Sequence, residues 1–307
     1  MYLYKINGQE LNEVREKTFN KEVELHKLCE SNLENIFGLK YVQREFSING
    51  FRFDTLAFDE STKSFVIIEY KNTTTFSVID QGYAYLATML NNKAEFILEY
   101  NEKLNGTLKR DEVDWSQSRV IFVSPNFTQY QKQSVNFKDL PFELWEVKKF
   151  DDEIIYFNPI KASQRAASIK TIVTSSEEVN VVNREVKVIT EEDHLARGNE
   201  DMIEIYEIFK RYLIDLDSSI TIKCRGGFVG FDLHNKNLVG ILLYKNSIKI
   251  WINSKWGELN DHKNIFRNVA NIGHWGNGDY EIIINDKEEV EYICSIMREA
   301  YKKKFLK

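Results

Sequence analysis

Length, composition and charge set the first limits on this sequence. Its 307 residues exceed the size at which a single core usually stops growing, about 250 to 300 residues, so two domains are expected. With 43% hydrophobic and 13% aromatic residues the chain has apolar surface enough for folded cores, which excludes a disordered protein. The formal net charge of −6 argues against a uniformly basic nucleic-acid-binding surface but permits a local basic groove.

The sequence lacks the signals of a membrane or disulfide-rich protein. No run approaches the roughly 18 uncharged apolar residues of a membrane helix, and the start, MYLYKINGQELNEV, lacks the basic-then-apolar order of a signal peptide. Cys29, Cys224 and Cys294 form no CxxC pair, and the histidines share no metal-ligand spacing, so neither a disulfide framework nor a zinc site is suggested. We therefore expect a cytoplasmic protein.

Residues 1–160 predict a mixed α/β domain. Apolar residues at helical spacing over 20–37 predict an amphipathic helix with Asn20 as its N-cap, and YVQREFSI, FRFDTLAFD and SFVIIEYKN predict three strands. A helix over 76–90 follows, and AEFILEY and SRVIFVSP then predict two more strands, which implies a parallel crossover. A helix in FTQYQKQSVNF and a pair of strands in LPFELWEVKKF and EIIYFNPI close the domain.

The rest of the chain predicts a linker and a second, smaller domain. Residues 161–198 are polar and charged without a sustained period, which indicates a linker or loosely packed arm. Apolar residues at i, i+3, i+4 and i+7 from Met202 onward predict a helix. Strands then follow in SITIKCRGG, FVGFDL, LVGILLYK, SIKIWINS and DYEIIIN, with a helix at the end. Residues 199–307 therefore predict a small α+β domain.

Three charged residues converge in the central strands of the first domain. Side chains alternate along a strand, so Glu69 and Lys71 in IEYK point to one face and Tyr70 to the other. A hairpin turn within DESTKS sets Asp54 directly across from Glu69. The sequence therefore predicts two carboxylates and a lysine at one point of the sheet.

Paired carboxylates at this point predict a metal site. Two carboxylates on neighbouring strands repel each other unless a cation lies between them. Oxygen ligands suit Mg²⁺ or Mn²⁺, which keep several waters and bridge readily to phosphate. Such an ion lowers the pKa of bound water and stabilises charge on a phosphodiester, and Lys71 is placed to position or help deprotonate the attacking water.

The same stretch resembles the PD-(D/E)XK nucleases. The runs ELHKLCESNLENIF, REFSINGFRFDTLAFD and FVIIEYKN are similar to the helix, strand Asp and Glu-x-Lys series of that superfamily, in particular its NucS-like branch. Gln81 and Tyr85 in QGYAY resemble the Gln-xxx-Tyr motif of RecB-type members, in which the pair lies at the active site or contacts nucleic acid. The likeness covers about 150 residues. It implies a restriction-endonuclease-like mixed sheet flanked by helices.

The resemblance also implies roles for individual residues. Asp54 and Glu69 are expected as metal ligands, the backbone carbonyl of Tyr70 as a third ligand, and Lys71 as the lysine that positions water. Glu24 matches the helical acid that often completes such a site, although Glu22, Glu30 and Glu34 compete for that role. The sequence departs from the family pattern in one respect, since the residue before Asp54 is Phe53 and not proline.

The implied activity is a Mg²⁺- or Mn²⁺-dependent endonuclease that hydrolyses phosphodiester bonds, with DNA as the favoured nucleic-acid partner and no membrane partner. A homodimer is compatible with the sequence, as are roles in restriction, phage defence or repair. The alternative left open is an inactive nucleic-acid-binding or assembly protein that keeps the nuclease fold.

The second domain carries a separate resemblance. The stretch ELNDHKNIFRNVANIGHWGNGDYEIII is similar to a bacterial domain of unknown function that often follows such nuclease domains and is sometimes labelled a predicted transport protein. The absence of a membrane-spanning pattern gives the transport label no support. We expect a specificity or partner-binding role for it.

Overall fold

The computed structural model describes residues 2–72, 77–137, 139–151, 153–163, 166–168, 176–272 and 277–305. The chain divides into two compact units, Met1–Val188 and Ile189–Lys307, each with its own hydrophobic core.

The first unit contains a mixed sheet and helices on both of its faces. The strands are β1 (Tyr4–Asn7), β2 (Glu10–Glu13), β3 (Glu16–Lys17), β4 (Lys40–Ile48), β5 (Phe51–Asp59), β6 (Ser64–Tyr70), β7 (Arg119–Ser124), β8 (Phe142–Phe150) and β9 (Ile155–Ile160). The helices are α1 (Glu22–Glu30), α2 (Leu33–Phe37), α3 (Val78–Asn91), α4 (Lys93–Leu104), α5 (Gln129–Ser134) and α6 (Glu177–Glu185).

The main sheet of this unit has the order β3-β8-β7-β6-β5-β4, with β9 paired to β8. Strand β7 runs parallel to both β6 and β8, whereas β4, β5 and β6 form an antiparallel meander. Alternation along β6 sends Ile68 into a core with α1 and Ile67 into a core with α3 and α4. The predicted fold class, a restriction-endonuclease-like mixed sheet flanked by helices with a second α+β unit, is confirmed.

One predicted strand is wrong. AEFILEY lies in helix α4, not in a strand, and buries Phe96, Ile97 and Tyr100 while Leu98 is exposed. Burial at i, i+1 and i+4 is a helical period, and a short apolar run cannot separate a strand from a helix. The parallel crossover between β6 and β7 is therefore made by α3 and α4 together.

The N-terminal region also differs from the prediction. The helix predicted over 20–37 is two helices, α1 and α2, and α1 begins at Glu22 with Lys21 rather than Asn20 as its N-cap. Helix α2 ends at Gly38, whose φ of +70° favours glycine. The hairpin of β1 and β2 and the short strand β3 were not predicted.

The predicted linker over 161–198 contains a packed helix. Helix α6 lies against α3, and Val182 and Val186 are buried in the core of the first unit, while the amide of Lys187 donates to the carbonyl of Ser116. Helix α6 is short and mostly polar, so its apolar residues give no sustained helical period. For this reason the sequence pattern did not predict the helix. The boundary between the two units falls between Val188 and Ile189, inside the segment predicted as a linker. Residues 164–165 and 169–175 of that segment lie outside the described residues.

The second unit is an α+β fold. Its helices are α7 (Glu191–Leu195), α8 (Glu200–Leu216) and α9 (Val290–Phe305), and its strands are β10 (Thr221–Cys224), β11 (Val229–Leu233), β12 (Lys236–Tyr244), β13 (Ser247–Ile252), β14 (Arg267–Asn268) and β15 (Tyr280–Ile284). The strands form one antiparallel sheet in the order β10-β11-β12-β13-β15-β14, and α8 and α9 share a core with it. Among the described residues of the whole chain, none of the helices has the length and apolar character that crossing a membrane requires.

Candidate active site

The register of β5 and β6 places Asp54 opposite Glu69. Thr55 pairs with Ile68, so the next position along both strands brings Asp54 and Glu69 together, as the hairpin prediction required. The carboxylate of Asp54 accepts a hydrogen bond of 2.9 Å from the amide of Tyr70. The side chain of Asp54 is 15% exposed, so a narrow part of it meets solvent.

Glu69 is almost fully buried, at 3% exposure. Its Oε1 accepts from Lys71 Nζ at 2.6 Å and from Gln81 Nε2 at 2.8 Å. Its Oε2 is buried and has no hydrogen-bond partner within the part of the chain that the structure describes. Burying a carboxylate oxygen is costly unless a donor or a cation contacts it.

Helix α3 delivers Gln81 and Tyr85 to the same point. Ser77 caps the helix and accepts from the amide of Asp80, which fixes where the helix begins. One turn later, Gln81 Nε2 donates to Glu69 and also to the hydroxyl of Tyr85, at 2.6 Å. The predicted pair on one helical face is therefore brought to the carboxylate.

A mid-helix glycine lets α3 approach the sheet. A Cβ at Gly82 would lie 2.6 Å from the ring of Phe142 on β8. Glycine costs helix stability of up to about 1 kcal/mol, and this close contact is the packing reason for it.

Burial raises the pKa of both carboxyl groups. For Glu69, desolvation is the largest cause of the raised pKa and the charge of Asp54 adds to it, while Lys71 opposes them. For Asp54, desolvation again raises the pKa, against the Tyr70 amide and Lys71. Tyr85 also has a raised pKa, because it is buried and lies beside Glu69. The site therefore holds more negative charge than its surroundings stabilise.

Glu24 and Glu22, the two acids in the first turn of α1, have different partners. Glu24 forms an ion pair with Lys149, which lowers the pKa of Glu24, and among the described residues no hydrogen bond or ion pair joins it to Asp54 or Glu69. The carboxylate of Glu22 accepts from the amide of Asn72 at 2.9 Å, two residues after the end of β6.

His26 is a site residue that the sequence pattern missed. Its Nε2 lies 3.6 Å from Asp54 Oδ2, and its ring packs on Tyr70 with centroids 4.4 Å apart. The ring is 12% exposed, and burial lowers the pKa of His26. The signal was present in the helix period: Leu25 and Cys29 are the buried residues of α1, and His26 lies three positions before Cys29, a spacing that places both on the same face of a helix.

The oxygen donors of the site can be compared with those that a divalent cation prefers. Within the described residues, no group of three or more His, Cys, Asp or Glu side chains is arranged to hold a metal. Mg²⁺ does not need such a group, since it is commonly bound through one or two carboxylates with waters and phosphate oxygens. Asp54 and Glu69, whose Oε2 is unpartnered among the described residues, fit that pattern.

Comparison with known proteins identifies a family. No family model matches the chain. An uncharacterized protein of Haemophilus influenzae (strain ATCC 51907 / DSM 11121 / KW20 / Rd) is 46% identical over 302 residues, which is 98% of this chain and 100% of that protein. The chain belongs to the family of that protein. The relative has no recorded activity to carry over.

Solved structures show a partial likeness. An EndoMS–dsDNA2 complex is 22% identical, with a TM-score of 0.26, over 46% of this chain and 49% of that one. A repair endonuclease from Pyrococcus abyssi is 19% identical, with a TM-score of 0.22, over 39% and 45%. EndoMS in its apo form is 23% identical, with a TM-score of 0.25, over 40% and 48%. The match spans about half of each of those chains, and at these TM-scores it says nothing about activity.

Proposed function

We propose that this protein is a Mg²⁺- or Mn²⁺-dependent nuclease that hydrolyses phosphodiester bonds in DNA, with the unit of residues 189–307 determining specificity or binding a partner. The observation that carries the proposal is Glu69, a buried carboxylate with one unpartnered oxygen, which lies opposite Asp54 and is bonded by Lys71.

Asp54, Glu69 and the carbonyl of Tyr70 are the groups we assign to the cation. A divalent ion there supplies Lewis-acid stabilisation of a phosphate oxygen and lowers the pKa of a bound water. The two carboxylates contribute the negative charge, and their raised pKa is the cost of that charge without a cation.

Lys71 and Gln81 orient the reacting groups. Lys71 lies two positions after Glu69, and its ammonium donates to Glu69 Oε1. From this position the ammonium can instead donate to a phosphate oxygen or to an attacking water. Gln81 keeps Glu69 oriented through its 2.8 Å hydrogen bond. His26 and Glu22 border the site from α1, and His26 faces Asp54 directly.

Local positive charge supports a polyanionic substrate. Arg52 is 65% exposed on β5, two residues before Asp54, and its charge opposes the rise that burial causes in the pKa of Asp54. Together with Lys71 it offers phosphate contacts beside the carboxylates although the whole chain is acidic.

The test is cleavage of end-labelled duplex DNA, single-stranded DNA and RNA with Mn²⁺, with Mg²⁺ and with EDTA. We expect cleavage of DNA that needs the metal and that Glu69→Gln removes. Glu24→Gln is the matched control, because Glu24 pairs with Lys149 outside the site, and it should keep the wild-type rate. Cleavage in EDTA, equal activity of Glu69→Gln, or binding of DNA without cleavage would contradict the proposal, and the last result would indicate an inactive binding protein.

A further inference from the structure

A residue with a left-handed backbone lies in the strand beside the candidate site. Glu45, within β4, has φ of +49°. Residues other than glycine, asparagine and aspartate adopt this conformation at a cost, and such strain persists only where the surrounding fold holds it. The side chain of Glu45 is exposed, and its ion-pair partner is the exposed Arg52, at 3.9 Å. A long ion pair between two exposed side chains is weak and does not explain the left-handed backbone.

Glu45 lies opposite Asp54. Arg44 on β4 pairs with Thr55 on β5. The strands are antiparallel, so the next position of that register brings Glu45 to Asp54. The left-handed residue therefore faces a candidate metal ligand across the ladder.

Strand β4 changes faces at this position. Phe46 packs on Phe96 of α4, with ring centroids 5.0 Å apart. Arg44, two positions earlier, lies 3.1 Å from Glu30 of α1, on the opposite side of the sheet. Side chains two positions apart point the same way on a regular strand, so the alternation breaks at Glu45.

Strand β5 changes faces at the matching position. Phe53 packs on Tyr85 of α3, with centroids 4.8 Å apart. The hydroxyl of Thr55 donates to Glu30 on the other side of the sheet, at 2.7 Å. The break in alternation lies at Asp54, which is the residue opposite the left-handed one.

We propose that Glu45 is a positioning residue, whose left-handed backbone turns Asp54 out of the regular alternation so that its carboxylate accepts the hydrogen bond from the Tyr70 amide. The geometric part of this inference stands without any activity. Only the purpose that it gives to Asp54, holding a cation, rests on the proposed function.

The test separates the backbone of Glu45 from its side chain. Glycine adopts a positive φ freely, whereas a β-branched valine does not, and both substitutions remove the carboxylate. The readout is the hydrogen-exchange rate of the Tyr70 amide, followed by NMR on the full chain without metal. We expect Glu45→Gly to stay within about threefold of the wild-type rate. Glu45→Val should exchange at least about tenfold faster, and so approach Asp54→Ala.

The controls decide how a change is interpreted. Lys40→Val places valine at an exposed position of the same strand with an ordinary backbone, and it should leave the Tyr70 amide unchanged. The amides of Ile67 and Ile68 should stay protected in every variant, which shows that β6 is intact. If Glu45→Val does not fold, Glu45→Ala replaces it, with a change of the same sign.

Wild-type exchange at Tyr70 in Glu45→Val would overturn the inference. Equally fast exchange in Glu45→Gly would also overturn it, because the side chain would then be responsible. A Mn²⁺ titration on the same samples tests the proposed function separately: a wild-type protein that binds no Mn²⁺ counts against the metal site, while the Tyr70 amide still decides the role of Glu45.

Discussion

Gln81 Nε2 lies 2.8 Å from Glu69 Oε1 and 2.6 Å from the hydroxyl of Tyr85, so one amide group joins the buried carboxylate to helix α3. Gln81→Ala removes the donor that fixes Glu69 and should lower the single-turnover cleavage rate by about 10- to 100-fold, since small misplacements of a reacting group are costly. Tyr85→Phe keeps the ring that packs on Phe53 and should have a smaller effect. Equal rates for wild type and Gln81→Ala would show that this hydrogen bond has no role in positioning.

Asp54→Asn should stabilise the metal-free protein near neutral pH. The pKa of Asp54 is raised above its ordinary value of 3.8, so between the unfolded and folded pKa the folded state binds more protons and stability falls as pH rises. Asparagine removes that loss, and a rise in Tm of about 2 °C or more is expected in EDTA at pH 7. The gain should vanish as the pH falls below the unfolded pKa.

Glu24→Gln is a control for the Tm measurement, because the pKa of Glu24 is shifted in the opposite direction to that of Asp54. The pKa of Glu24 is lowered, mainly by Lys149, so its ionised form is favoured in the folded state. Glu24→Gln should therefore not raise Tm at pH 7. With saturating Mn²⁺ the order of wild type and Asp54→Asn should reverse, because the metal stabilises only the protein that binds it. A Tm for Asp54→Asn that is below wild type in EDTA and independent of pH would contradict this account.

Lys71→Ala should slow the chemical step without loss of metal. A lost proton-transfer or positioning group lowers the rate by about 10²- to 10⁴-fold. Removing the Lys71 ammonium beside Asp54 and Glu69 makes the site more attractive to Mn²⁺, so the affinity for Mn²⁺ should hold or increase. Single-turnover cleavage and a Mn²⁺ titration on one preparation check both statements. A wild-type rate, or loss of metal, would make Lys71 a bystander or a structural residue.

Gly82→Ala distinguishes helix propensity from packing. Propensity alone predicts that alanine stabilises α3 by up to about 1 kcal/mol. The contact of 2.6 Å to Phe142 predicts the opposite, a loss of about 1–3 kcal/mol from overpacking, with a lower cleavage rate because Gln81 moves with the helix. Urea unfolding of the two proteins measures the sign. An unchanged or higher stability of Gly82→Ala would mean that the helix adjusts freely.

The strand part of the site could be predicted from sequence because the strand period and the position of the turn determine which residues lie together. A period of two places Glu69 and Lys71 together, and a tight turn fixes the residue opposite Glu69, so Asp54 follows without knowledge of packing. Gln81 and Tyr85 follow from the helical period in the same way.

The helical part was not predicted, because it depends on how α1 is rotated against the sheet. Each residue turns a helix by about 100°, so Glu22 and Glu24 face different directions. Burial of Leu25 and Cys29 selects the rotation that brings Glu22 and His26 to the strands and leaves Glu24 to Lys149.

Two further features, helix α4 and the backbone of Glu45, were also not predicted. Helix α4 was mistaken for a strand because a short apolar run carries no decisive period. The left-handed backbone of Glu45 was not predicted, because glutamate has no preference for that conformation.

The measurement that tests the central claim most directly is calorimetric titration of the full chain with Mn²⁺. The account predicts a binding site that Asp54→Ala and Glu69→Gln abolish and that Glu24→Gln, outside the site, leaves intact. Wild-type protein that binds no Mn²⁺, or binding that persists undiminished in Asp54→Ala, would contradict a metal-dependent nuclease centred on these two carboxylates.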